Sequence, residues 1–64
     1  MSENKTLCRY LDRVFRLSLP SKLKNHIRDR FLNLKSTDEL RTLCFNVRNY
    51  LISTYGPNPY FEIA

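Results

Sequence analysis

The chain has 64 residues and a mass of 7.7 kDa, and at this length folding removes only about 60% of the unfolded surface from water, so one domain with a small core is expected. With 42% hydrophobic and 27% charged residues, one glycine and three prolines, the composition excludes disordered, collagen-like and low-complexity classes. Eleven Lys and Arg against six Asp and Glu leave a formal charge of +5, which favours acidic partners such as nucleic acid, an anionic membrane surface or an acidic protein face.

Cys8 and Cys44 are too few for a disulfide framework and do not have CxxC spacing. They point to a reducing, intracellular compartment, cytoplasmic or nucleoid/nuclear, rather than to secretion. The opening MSENKTLCRYLDRVF has no continuous apolar run of the signal-peptide kind, and no integral membrane segment is expected anywhere.

At about 100° per residue, Leu7, Leu11 and Val14 form one stripe, widened by Tyr10 on one side and by Cys8 and Phe15 on the other. This predicts a first helix over 4–17. Ser18-Leu19-Pro20-Ser21 breaks it, because Pro20 disfavours a helical Leu19 yet fits the first turn of a new helix. Leu23, Ile27, Phe31 and Leu34 then share a face and predict a second helix over 20–34. Ser36-Thr37-Asp38-Glu39 has the capping-box pattern, with two acids in the first turn. A third helix over 37–53 follows, its apolar face made of Leu40, Leu43, Cys44, Val47 and Leu51. Gly56, Pro57 and Pro59 stop it. No stretch alternates with period two. The fold class is therefore all-α, a compact three-helix bundle in one domain, ending in an extended aromatic and proline tail over 54–64. The plain reading of that tail is a strap closing the core; the functional one is a short motif for another protein.

Catalysis needs a positioned acid, base or nucleophile with an orienting partner. One histidine, two cysteines on apolar faces and six scattered carboxylates do not form such a set. Both cysteines are read as packing residues. His26 has no second ligand at helical spacing, so no metal, no cofactor and no enzymatic activity are expected. A glycine-rich phosphate loop is absent, since Gly56 is the only glycine.

Two surface patterns remain. Lys5, Arg9, Arg13 and Arg16 are spaced 4, 4 and 3, forming a cationic ridge opposite the apolar stripe of helix one, with Lys24 and Arg28 adding to it from helix two. A solvated face is one reading; a contact surface for phosphates or carboxylates is the other. On helix three, Arg41, Phe45, Arg48 and Ile52 form a second stripe, either the wide edge of the core or an interface in which an aromatic is flanked by two arginines. Thr42, Asn46, Asn49 and Ser53 lie on its uncharged polar face. A helix-turn-helix is disfavoured, because the linker after helix two lacks the usual glycine.

The apolar spacing from Leu19-Pro20 through Leu23, Ile27, Phe31, Leu40, Leu43 and Val47 resembles that of an F-box. It is also similar to the three-helix C-terminal domain of paramyxovirus phosphoproteins. One spacing that fits two unrelated families describes helix packing, so no functional residue is carried over from either. What both resemblances imply at fold level is a docking module.

The leading expectation is a small non-enzymatic protein-interaction module or regulator. Its binding residues would be Arg41, Phe45, Arg48, Ile52, Tyr60 and Phe61, its partner a protein, for which an acidic face fits the charge, with a homodimer through the same stripe as a variant. The alternative is a basic nucleic-acid-binding protein using Lys5, Arg9, Arg13, Arg16, Lys24 and Arg28.

Overall fold

The computed structural model describes residues 2–63, Ser2 by its backbone alone. Three helices and one short 3-10 turn follow one another as α1 Ser2–Phe15, α2 Ser21–Leu32, α3 Thr37–Tyr55 and the turn Pro59–Phe61. The all-α three-helix bundle is thus present, with boundaries shifted by up to two residues from expectation.

In α1 the spacing of three and four residues puts Leu7, Tyr10, Leu11 and Val14 on the inner face, all of them buried. The helix stops at Phe15 rather than at position 17, because the N–H groups of Arg16 and Leu17 bond back only three residues, to the carbonyls of Arg13 and Val14. A tightened last turn of this kind closes a helix. Pro20 then serves as N-cap of α2, with φ −56° and ψ 139°, and its carbonyl accepts from the Lys24 N–H.

Ile27 is the only fully buried residue of α2. Leu23 and Phe31 pack at the edge of the core, while Leu32 is 73% exposed. The helix ends where the Asn33 side chain donates to the Asp29 carbonyl at 2.7 Å, which competes with further helical bonding. At the start of α3, Ser36 Oγ accepts from the Glu39 N–H at 3.2 Å. The Glu39 carboxylate accepts from the Lys35 N–H at 2.8 Å, one residue ahead of the usual capping-box partner.

Leu40, Leu43, Cys44, Val47 and Leu51 make α3 the shared wall of the core, packed by α1 on one side and by α2 on the other. Nothing breaks its helical bonding before Gly56, whose φ of +94° costs a glycine little and whose N–H closes on the Ile52 carbonyl at 2.9 Å. That is why α3 runs to Tyr55 and not to Ser53.

The segment after Gly56 departs from an extended tail. The Asn58 side chain accepts from the Tyr60 N–H at 2.9 Å and caps the turn Pro59–Phe61. The turn delivers Phe61 into the core between α1 and α3, where it is 7% exposed. The tail is a strap, and Phe61 is a core residue instead of a free contact residue. Ala64 lies outside the described residues. A second correction concerns Cys8: one position from Leu7 carries it about 100° around α1, and it is exposed, whereas Cys44 is buried. Burial pushes the Cys44 thiol up to about 11.

Candidate functional site

The α3 stripe expected to bind a partner is largely occupied within the chain. The Arg41 guanidinium takes both oxygens of Glu3, at 2.8 and 2.9 Å, and Asp38 at 2.7 Å. This arrangement holds the Glu3 carboxyl below the usual carboxylate range and raises Arg41. Arg48 takes both oxygens of Glu62, at 2.7 and 3.3 Å. One arginine therefore ties the start of α1 to α3, and the other ties the strap to α3. Ile52 is partly buried against the core. Of the six expected contact residues, only Phe45 at 48% and Tyr60 at 62% are well exposed.

The cationic ridge is also divided. Lys5 and Arg9 are exposed, and Arg16 pairs with Asp12 at 3.1 Å in a solvent-exposed i, i+4 contact. Arg13 turns the other way. Its guanidinium donates to the Glu62 carbonyl and lies 5.5 Å from the centre of the Tyr10 ring, and its Nε is buried with no partner. On α2, Arg28 sits 5.7 Å from the centre of the Phe15 ring, at the end of α1. Lys5, Arg9, Lys24 and Arg28 make no ion pair among the described residues.

A groove of about 850 Å³ lies between α2 and α3. Its floor is apolar: Leu23 and Ile27 come from α2, and Leu43 and Val47 from α3. Lys22, His26 and Arg30 stand along one rim, Asn46 and Tyr50 along the other, and no lining residue is acidic. Past Arg30, Leu43 and Asn46 the groove continues into a smaller depression of about 390 Å³, bounded by Leu34, Asp38 and Glu39. It exists because α2 has a narrow apolar stripe and long polar flanks. Packing on α3 through Ile27 buries Leu43 and Val47 at the bottom of the groove and leaves Leu23 and Tyr50 at its edges.

The expected site residues did not include this groove. Leu43 and Val47 read as core from their spacing, and they are indeed buried at 9% and 6% exposure. Tyr50, next to them on the helix face and 49% exposed, was the one available signal, since an exposed aromatic beside an apolar stripe marks an edge of the core. Among the described residues no three His, Cys, Asp or Glu side chains converge to hold a metal, and no helix is long and apolar enough to cross a membrane.

Comparison with known protein families, curated proteins and solved structures finds no match.

Proposed function

We propose that the chain is a non-enzymatic protein-interaction module that takes a partner protein into the groove between α2 and α3. One observation carries this reading: a groove lined by Leu23, Ile27, Leu43 and Val47 runs between rims of polar and cationic side chains, with Leu23 half-buried and Tyr50 exposed at its edges. An apolar centre with a polar rim is the anatomy of a protein interface. Tyr50 and Arg30, at the edges of the floor, are of the residue types that dominate binding energy. The exposed thiol of Cys8, with no disulfide partner, fits a reducing, intracellular setting.

Nucleic-acid binding is the second reading, favoured by the exposed Lys5 and Arg9, which make no ion pair among the described residues, and by Arg28 of α2 at the end of α1. It ranks lower because Arg13 is drawn into the strap and Arg16 faces Asp12, which thins the ridge to which phosphates would bind.

Site-specific photo-crosslinking separates the two. With a photoreactive amino acid at Asn46 in the groove, or at Arg9 on the outer face of α1, adducts are identified by mass spectrometry. The expected result is a defined polypeptide adduct from position 46 that disappears when Tyr50→Glu is added. Nucleotide adducts from position 9 with none from position 46 would hand the function to the second reading.

A further inference from the structure

We infer that the occupant of the α2/α3 groove is an amphipathic helix with an acidic flank, its apolar side chains seated on Leu23, Ile27, Leu43 and Val47 and its carboxylates against Lys22 and Arg30. The inference rests on the protein-docking reading and adds the chemistry of the partner.

Geometry selects a helix. Both walls are helices whose backbone bonds are internal, so no sheet edge is present for an extended peptide to join, and Tyr50 alone is too little aromatic surface for a polyproline ligand. The twelve residues of α2 make a wall of about 18 Å at 1.5 Å per residue, which matches three turns of a docked helix with anchors at i, i+4 and i+7.

Charge selects its flank. Lys22 and Arg30 make no ion pair among the described residues, and no carboxylate lines the larger groove. The carboxylates at the far end are already engaged, Asp38 by Arg41 at 2.7 Å and Glu39 by the Lys35 N–H at 2.8 Å. The unanswered charge beside the apolar floor is therefore positive. A second copy of the chain is disfavoured, since each copy has a formal charge of +5, and like charges across an interface suppress pairing. The chain's own strap is not the occupant either, because it packs on α1 and α3, held by Tyr10 and Arg48, and none of its residues lines the groove.

The probes are three synthetic fifteen-residue helical peptides: one with a leucine face and glutamate flanks, one with lysine replacing every glutamate, and one with glutamate flanks but serine replacing leucine. Binding is followed by fluorescence anisotropy and mapped by amide chemical shifts on the whole chain. The leucine–glutamate peptide is expected to shift Leu23, Ile27, Leu43 and Val47, and the lysine peptide to bind about ten-fold more weakly. The exposed double variant K22E/R30E, with its fold checked by circular dichroism, reverses that order. Equal binding of both leucine peptides in the groove overturns the acidic inference and leaves the docking module standing. If no peptide shifts the groove while position 46 still crosslinks a polypeptide, the inference fails alone; if neither occurs, both readings fail. Shifts confined to Lys5 and Arg9 also overturn it, moving acidic recognition to α1.

Discussion

The Tyr10 hydroxyl donates a 2.7 Å hydrogen bond to the main-chain carbonyl of Phe61, fixing the strap to the first helix across 51 positions of sequence. Tyr10 is 2% exposed and Phe61 7%, so the bond is shielded from water and its loss is not made good by solvent. Arg13 and Arg48 hold the next residue, Glu62, by its carbonyl and its carboxylate respectively. One aromatic ring in the core is thereby secured by three side chains from two helices.

Tyr10→Phe keeps the ring and removes the donor, stranding a buried carbonyl. The expected cost is about 1–3 kcal/mol in thermal or urea unfolding, with faster hydrogen exchange at the amides of Phe61 and Glu62. Phe61→Ala costs more, about 3–5 kcal/mol, because a whole ring leaves the core. Tyr60→Ala, one residue away and 62% exposed, stays within about 0.5 kcal/mol. Equal losses at positions 60 and 61 would show that the strap does not seat Phe61 as described.

Members of the helix-one ridge are expected to separate by stability. Arg9→Ala removes an exposed, unpaired cation and changes stability by less than about 0.5 kcal/mol. Arg13→Ala releases the Glu62 carbonyl and uncovers the Tyr10 ring, and is expected to cost about 1–2 kcal/mol. A charge-reversal test of nucleic-acid binding belongs on Lys5, Arg9 and Arg16, where the fold is untouched. A variant that also changes Arg13 confuses lost binding with a loosened strap.

The three helices were legible because each boundary has a local cause. Pro20 stands at the N-cap of α2, Ser36 caps α3, and Gly56 supplies the positive φ that closes α3. The inner faces were legible for the same reason, since a spacing of three and four residues survives any arrangement of neighbours. What depends on distant partners was not. Nothing in PNPYFEIA distinguishes Phe61 from Tyr60; the difference comes from Tyr10, Arg13 and Arg48, which reach the strap from two helices. The side of α1 that carries Cys8 lies at the edge of the apolar stripe, and only the placement of the neighbouring helices decides whether it is covered. The groove is of the same kind. Leu43 and Val47 are core by periodicity, and their place at the bottom of a groove arises from how α2 lies across α3.

Ser36→Ala tests the local part of this account. It removes the acceptor for the Glu39 N–H and is expected to cost about 1 kcal/mol, as at other serine N-caps. Ser36→Asp restores a carboxylate acceptor at the helix N-terminus and is expected to recover most of the loss. If both variants unfold with the wild type, the cap is not what starts α3.

Alkaline pH reports on the two buried acids at the centre of the bundle. Burial pushes the Tyr10 hydroxyl up to about 12 from an ordinary value of 10.0, and the Cys44 thiol up to about 11 from 9.0. In both cases the unfolded chain releases its proton first, so it binds fewer protons than the folded chain and stability falls as pH rises. Each contribution is complete below the ordinary value and lost on passing the raised one, which puts the loss at pH 9–11 for Cys44 and 10–12 for Tyr10. A ten-fold change in proton affinity is worth about 1.4 kcal/mol, and with partial solvent screening up to about 2 kcal/mol is lost at each site. Urea unfolding measured from about pH 8 to 12 is expected to lose the upper part of this decline in Tyr10→Phe and the lower part in Cys44→Ala, after correction for each variant's cost at the starting pH. A decline of the same size and position in all three proteins would place its cause elsewhere than in these two side chains.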